Sequence, residues 1–133
     1  MKITTRMVED ELYVSTSENG NEVRIDMRKL EDKEFQSPVE LLLSSLAGCA
    51  AVDIVLMLKK RKKTVKDLVI ETEGDRQPEA PRFFTKIHCH YILYSPDANT
   101  DELVKVAKLA LEKYCSVASS LKAEITCSGE IRN

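Results

Sequence analysis

The sequence predicts an α+β fold, with strands grouped around two helices rather than a regular βαβ repeat. Three observations carry that reading. Residues 37–63, SPVELLLSSLAGCAAVDIVLMLKKRKK, read as one long helix apolar on nearly every side, and such a helix needs other structure wrapped around it. Upstream, two alternating segments flank Asn19-Gly20, a hairpin signal. Downstream, two further strands and a second, amphipathic helix precede a last alternating segment.

Residues 1–28 read as strands, with 12–17 and 22–27 paired about the Asn19-Gly20 turn. Val23, Ile25 and Met27 alternate with Arg24, Asp26 and Arg28, so the apolar set is expected inside and the charged set outside. The charged segment 29–36 leads into the long helix. Ser37 is its predicted N-cap, Pro38 occupies the first helical position, and Glu40 completes a capping box. The basic run 59–63 faces the negative end of the helix dipole. The 18-residue apolar run 41–58 is at the short edge of a membrane span, and Asp53 within it favours a core helix.

Residues 66–73 form the next predicted strand, and Pro78 and Pro81 mark a loop. In the strand 83–93, Phe83, Thr85, Ile87, Cys89, Tyr91 and Leu93 share one face, while Lys86, His88 and His90 share the other. Asn99 and Glu102 cap a second helix, with Leu103, Val106, Ala107, Ala110, Leu111 and Tyr114 on its apolar stripe. The helical pattern continues or restarts through 115–121. Ile125, Cys127, Gly129 and Ile131 then alternate in a final strand. The whole chain, 1–133, reads as a single domain. A central helix this apolar is hard to cover with 133 residues, so a homodimer is expected.

A net charge of −2 argues against nucleic acid as a partner. The N-terminal MKITTRMVEDEL lacks the apolar segment of a signal peptide, so the expected compartment is the cytoplasm, with no membrane partner. Four cysteines, at 49, 89, 115 and 127, show no metal-binding spacing, and permanent disulfides are not expected in a reducing compartment. His88 and His90 lie on the strand face opposite Cys89, so those three do not converge on one metal.

The cysteines differ in setting. Cys89 and Cys127 stand on apolar strand faces as small buried hydrophobes. Cys49 has only small neighbours, Ala47, Gly48, Ala50 and Ala51, which suit either tight helix packing or the approach of a substrate. Cys115 follows Tyr114 at the break before 116–121. A helix starting there would offer free N–H groups that favour a thiolate.

The segments SPVELLLSSLAGCAAVDIV and EKYCSVASSL, with their cysteines 66 positions apart, resemble the OsmC/Ohr family of thiol peroxidases. The N-terminal hairpin and the Gly74, Arg76, Pro81, Phe84 pattern agree with it, and the resemblance covers essentially the whole chain. It implies an intertwined α+β homodimer, its long central helices wrapped by antiparallel sheets from both chains. It also implies an antioxidant role in oxidative stress. Cys49 would be the peroxidatic residue attacking a hydroperoxide, preferably organic, and Cys115 the resolving one. No bound cofactor is implied. An external thiol donor, of the dihydrolipoamide type or another, would restore both thiols.

In the peroxidase branches, an arginine from the N-terminal strands, held by a glutamate early in the central helix, activates the first cysteine. Arg6 and Arg24 are the candidates here. The family's Pro-Glu pair stands as Pro38-Val39, with Glu40 one residue on, which is about 100° around a helix. Glu40 therefore reads first as the cap partner of Ser37. Asp53, one turn beyond Cys49, would oppose a thiolate. The alternative function is a non-enzymatic dimer on the same scaffold that binds a small apolar or thiol-reactive ligand, or senses oxidation.

Overall fold

The computed structural model describes residues 1–133. They pack as two compact units, Met1–Leu42 and Leu43–Asn133. The fold is mixed α+β, with two three-stranded sheets.

In the first unit, β1 (Ile3–Glu9), β2 (Leu12–Ser17) and β3 (Glu22–Asp26) form an antiparallel meander. The 12–17 strand is as predicted, and β1 adds a partner that the hairpin signal did not specify. Glu11, at φ 64°, turns the chain between β1 and β2. Gly20, at φ 88°, closes the next turn and donates its N–H to the Ser17 carbonyl at 2.9 Å.

The predicted in–out pattern of 22–27 does not hold. Val23 and Met27 are exposed, whereas Asp26 is fully buried. Asp26 accepts five hydrogen bonds, from the backbone N–H of Arg28, Glu34 and Phe35 and from Nε and Nη2 of Arg28. These outweigh the cost of burying its charge and hold its carboxyl well below the usual range, the Arg28 guanidinium most of all. The carboxylate thus gathers the connection 27–36, including the short 3₁₀ turn Leu30–Asp32.

α1 runs from Pro38 to Lys60. Its capping box forms as expected: the Ser37 N–H donates to Glu40 Oε1 at 3.0 Å, and the Glu40 N–H donates to Ser37 Oγ at 3.3 Å. The helix stops three residues short of 63, because Lys62 turns into the left-handed region at φ 62° and the Lys63 N–H returns to the Leu58 carbonyl at 3.0 Å. α1 is long and apolar enough to cross a membrane by length and composition. The expectation that it is wrapped on all sides fails within one chain. Leu46, Ala50, Ile54 and Leu58, four apart, are fully buried, but Val52 and Leu56 are 61% and 51% exposed.

In the second unit β5 (Phe84–Tyr94) lies between β4 (Asp67–Arg76), antiparallel to it, and β6 (Glu124–Arg132), parallel to it. The expectation of purely antiparallel sheets is therefore corrected at β6. The crossover through α2 (Thr100–Leu109) returns the chain beside β5 in the same direction. Asn99 caps α2, accepting the Glu102 N–H at 2.9 Å. Leu103, Val106 and Ala107 bury its apolar stripe. Gly129 lets β6 approach closely: a Cβ there would stand 2.9 Å from Leu103 Cδ2.

β5 buries Ile87, Cys89, Tyr91 and Leu93 as predicted. The expected place of Phe83 is taken by Phe84. A register shift between Asp75 and Arg76 changes the phase of the strand end, so Phe84 is buried and Phe83 is 41% exposed beneath Lys122.

Candidate active site

Two elements of the second unit bring Cys49 and Cys115 together. Cys49 is half-buried on α1. Outside its own turn of α1, nothing lies within 4 Å of where a Gly48 Cβ would stand, so Gly48 borders open space, whereas Ala50 is fully buried.

Cys115 owes its place to how α2 ends. The helix widens into a π turn over Ala110–Tyr114, and the Cys115 N–H reaches back five residues to the Ala110 carbonyl at 2.8 Å. Cys115 is then extended and becomes the N-cap of α3 (Ser116–Ser119), its Sγ accepting the Ala118 N–H at 3.4 Å. It is 1% exposed. The break predicted at Tyr114 is therefore real, and a new helix starts there.

The new helical turn acts mainly on Cys49. Its thiol is held below the ordinary range first by the N–H of Val117, then by a hydrogen bond from the Cys115 thiol, with the Ser116 N–H adding to them. Burial and the negative charge of Asp53 oppose these and lose. Cys115 moves the other way. Burial pushes its thiol up, and the neighbouring Cys49 sulfur adds to that, outweighing the Ala118 and Val117 N–H groups. The two thiols are thus split, with Cys49 the more acidic. Helix-start reasoning alone favours Cys115 as the thiolate, whereas the family resemblance makes Cys49 the attacking sulfur. The amide donors are where that reasoning put them, but they favour the charge on the other sulfur.

The remaining sequence-predicted residues lie as follows. Asp53 is one turn from Cys49 and disfavours its thiolate. Glu40 is engaged in the capping box, which lowers its carboxyl pKa through the Ser37 N–H. Arg6 is exposed on β1, opposite Val14. Arg24 stacks over the Phe35 ring at 5.5 Å. The largest influences lowering Cys49 come from neutral groups, two backbone amides and a thiol.

Of the other cysteines, Cys89 is fully buried, as expected. Cys127 is half-buried and lines a cavity of about 280 Å³. His88 and His90 bond along β6, to Thr126 (2.7 Å), to Ser128 (2.8 and 2.7 Å) and to Glu130 (3.0 Å). The sequence pattern placed Tyr91 on the strand face of Cys89 but gave no sign that its buried hydroxyl would lack a hydrogen-bond partner. It also missed the individual amides of Ser116 and Val117, which carry no side-chain signal.

Residues 31–130 match the sequence profile of the family described as OsmC-like protein. Protein YhfA of Escherichia coli K12 is 34% identical over 133 residues, covering 98% of each chain. An OsmC-like protein from Mycoplasma pneumoniae has the same fold, with a TM-score of 0.84 at 21% identity over 99% of this chain and 96% of that one. The organic hydroperoxide resistance protein OhrB of Bacillus subtilis gives a TM-score of 0.64 at 17% identity, over 98% of this chain and 96% of its own.

Proposed function

The chain belongs to the OsmC-like family, and from that premise we propose that it is a thiol-dependent hydroperoxide reductase acting in oxidative stress defence. One observation carries the reading: the Cys49 and Cys115 thiols are neighbours, and the Val117 N–H, the Cys115 thiol and the Ser116 N–H favour the thiolate on Cys49. The Cys49 thiolate attacks the terminal oxygen of an organic hydroperoxide. The O–O bond breaks, an alcohol leaves after taking a proton, and Cys49 becomes a sulfenic acid. The Cys115 sulfur then attacks Cys49. An S–S bond forms, and the sulfenic hydroxyl leaves as water with the Cys115 proton. An external thiol donor returns two electrons and two protons by disulfide exchange. The donor and the hydroperoxide are the partners, in a cytoplasmic setting, and no bound cofactor is needed. Two copies of the chain form the working unit, a reading supported by the bare apolar side chains of α1.

The test is peroxide consumption with a dithiol donor. The wild type is expected to lose two thiols per chain to one disulfide, Cys49–Cys115, and Cys49→Ser to lose all turnover. Intact turnover in Cys49→Ser would overturn the assignment. One observation favours the second reading, a non-enzymatic dimer that binds a thiol-reactive ligand or senses oxidation. The main groups favouring the Cys49 thiolate are neutral, and Asp53 opposes it. Covalent capture of a thiol-reactive ligand at Cys49 with no peroxide consumed would decide for that reading.

A further inference from the structure

We propose that Ser128, His90 and Glu130 form a second, hydrolytic site on the open face of the β4–β5–β6 sheet, with Ser128 the nucleophile toward a small carboxylic ester that carries a positive charge. The site draws on neither Cys49 nor Cys115, so it stands or falls apart from the reading of that pair.

The alternation of β5 and β6 gathers the residues. His88 and His90 leave β5 on the face opposite the buried Ile87, Cys89 and Tyr91. In the parallel ladder His88 stands against Thr126, and His90 against Ser128. Cross-strand pairs of this kind are ordinary in sheets. Here further bonds join the two pairs into one chain. Thr126 Oγ1 meets His88 Nδ1 at 2.7 Å, and His88 Nε2 meets Ser128 Oγ at 2.8 Å. Ser128 Oγ meets His90 Nδ1 at 2.7 Å, and His90 Nε2 meets Glu130 Oε1 at 3.0 Å.

The end of the chain fixes its direction. Arg132 donates to both oxygens of Glu130, from Nε at 3.2 Å and from Nη2 at 3.3 Å. His90 and then Arg132 hold the Glu130 carboxyl below its usual range. A carboxylate only accepts, so with both rings neutral His90 carries its proton on Nε2 and accepts at Nδ1. The single Ser128 proton then points at His90, while the Ser128 oxygen accepts from His88 Nε2 and Thr126 donates to His88 Nδ1. A hydroxyl bonded to a base that a third group orients is the arrangement that activates a nucleophile. The group is open to a substrate: the His90 and Glu130 side chains are 30% and 40% exposed.

A cavity of about 270 Å³ lies at the other end of the chain, where His88 and Thr126 share its wall with Glu73, Asp75, Glu124 and Lys86. His88 thus both lines the cavity and bonds Ser128. Three carboxylates against one ammonium favour a positive charge there, so the cavity takes the cationic part of the ester and Ser128 its carbonyl.

The reaction balances with water as the only co-reactant. Ser128 Oγ attacks the carbonyl carbon, and its proton passes to His90 Nδ1 while Glu130 stabilises the imidazolium. The C–O bond to the alcohol breaks, and the alcohol leaves with the His90 proton. Water then attacks the acyl-Ser128 carbon and gives a proton to His90, which returns it to Ser128 Oγ as the carboxylic acid leaves.

The test treats the full chain with p-nitrophenyl p-guanidinobenzoate, a cationic ester. The reaction is quenched in acid over time, and the acyl group is located by peptide mass spectrometry. Acylation of Ser128 is expected, about tenfold faster than with neutral p-nitrophenyl benzoate. His90→Ala should slow it roughly a hundredfold or more, and added imidazole should restore part of the rate, which a merely structural histidine would not allow. Glu130 is a positioning residue. Glu130→Gln should slow acylation roughly tenfold or more at an unchanged half-saturating ester concentration. If acyl groups fall on lysines or cysteines of the wild type and Ser128 stays free, the site is overturned. Ser128 acylation that His90→Ala leaves unchanged would sink the triad, and equal rates with the two esters would overturn the cationic substrate class. The adduct is read by position, so reaction at Cys49 is counted separately.

Discussion

The chemistry of this chain turns on which of two adjacent sulfurs holds the negative charge. Both lie near the N–H groups that open the 116–119 turn, but Cys115 is nearly sealed from water while Cys49 is half-open. Burial penalises the charged form, so equal access to amides does not give equal acidity. Cys49 should therefore react with iodoacetamide with a pH midpoint below the roughly 8.5 of a free thiol, and Cys115 above it. Site-resolved alkylation followed by mass spectrometry checks this, and the opposite order would invert the assigned roles. Asp26 offers a second titration. Its folded pKa is depressed, so its contribution to stability is complete above its unfolded value and is lost as pH falls through the folded one. Asp26→Asn should lower the melting temperature near neutral pH, and the deficit should shrink as pH falls below about 4. A deficit independent of pH would mean that the packing of Asp26, rather than its charge, holds the 27–36 connection.

Helix ends do much of the work at the scale of elements. α1 begins with a reciprocal Ser37–Glu40 box, which satisfies amides that would otherwise lack partners. Ser37→Ala should cost about 1 kcal/mol of stability in denaturant titration. It should leave the alkylation profile of Cys49 unchanged, because Glu40 acts here as a cap. A shift in that profile would restore Glu40 as an activating residue. α2 ends differently. Its widened last turn carries Cys115 out of the helix and aims the following amides at α1, so the π turn is the device that forms the pair. At the other end of α1, Asp97 accepts the Thr64 N–H at 2.8 Å and the Thr64 hydroxyl at 2.9 Å, tying the helix exit to the loop before α2.

For the whole molecule, the apolar surface left bare by one chain is the main fact. Val52 and Leu56 on α1 are exposed in the second unit, as are Met7, Val23 and Met27 in the first. Scattered apolar residues are ordinary on protein surfaces, but a helix with mean hydropathy 2.2 and only 22% of its apolar window buried is not. Sedimentation equilibrium should give twice the chain mass of 15.0 kDa. Val52→Glu should shift the distribution toward a single chain, because an unpaired carboxylate in an apolar interface is costly. A wild-type mass of 15.0 kDa at micromolar concentration would remove the dimer from the proposal.

Local patterning by itself determined the α+β class, the span of β2, the long helix with its capping box, the start of α2 at Asn99 and the break before Cys115. Each depends on interactions within a few residues, which sequence spacing records. Tertiary structure alone decided the burial of Asp26, the parallel pairing of β6, the exchange of Phe83 for Phe84 and which amides favour the Cys49 thiolate. Those outcomes depend on what a distant segment places against a residue. An aspartate on an alternating strand carries no sign of the five N–H groups that will meet it. Likewise, two cysteines 66 residues apart carry no sign of which one burial will leave charged.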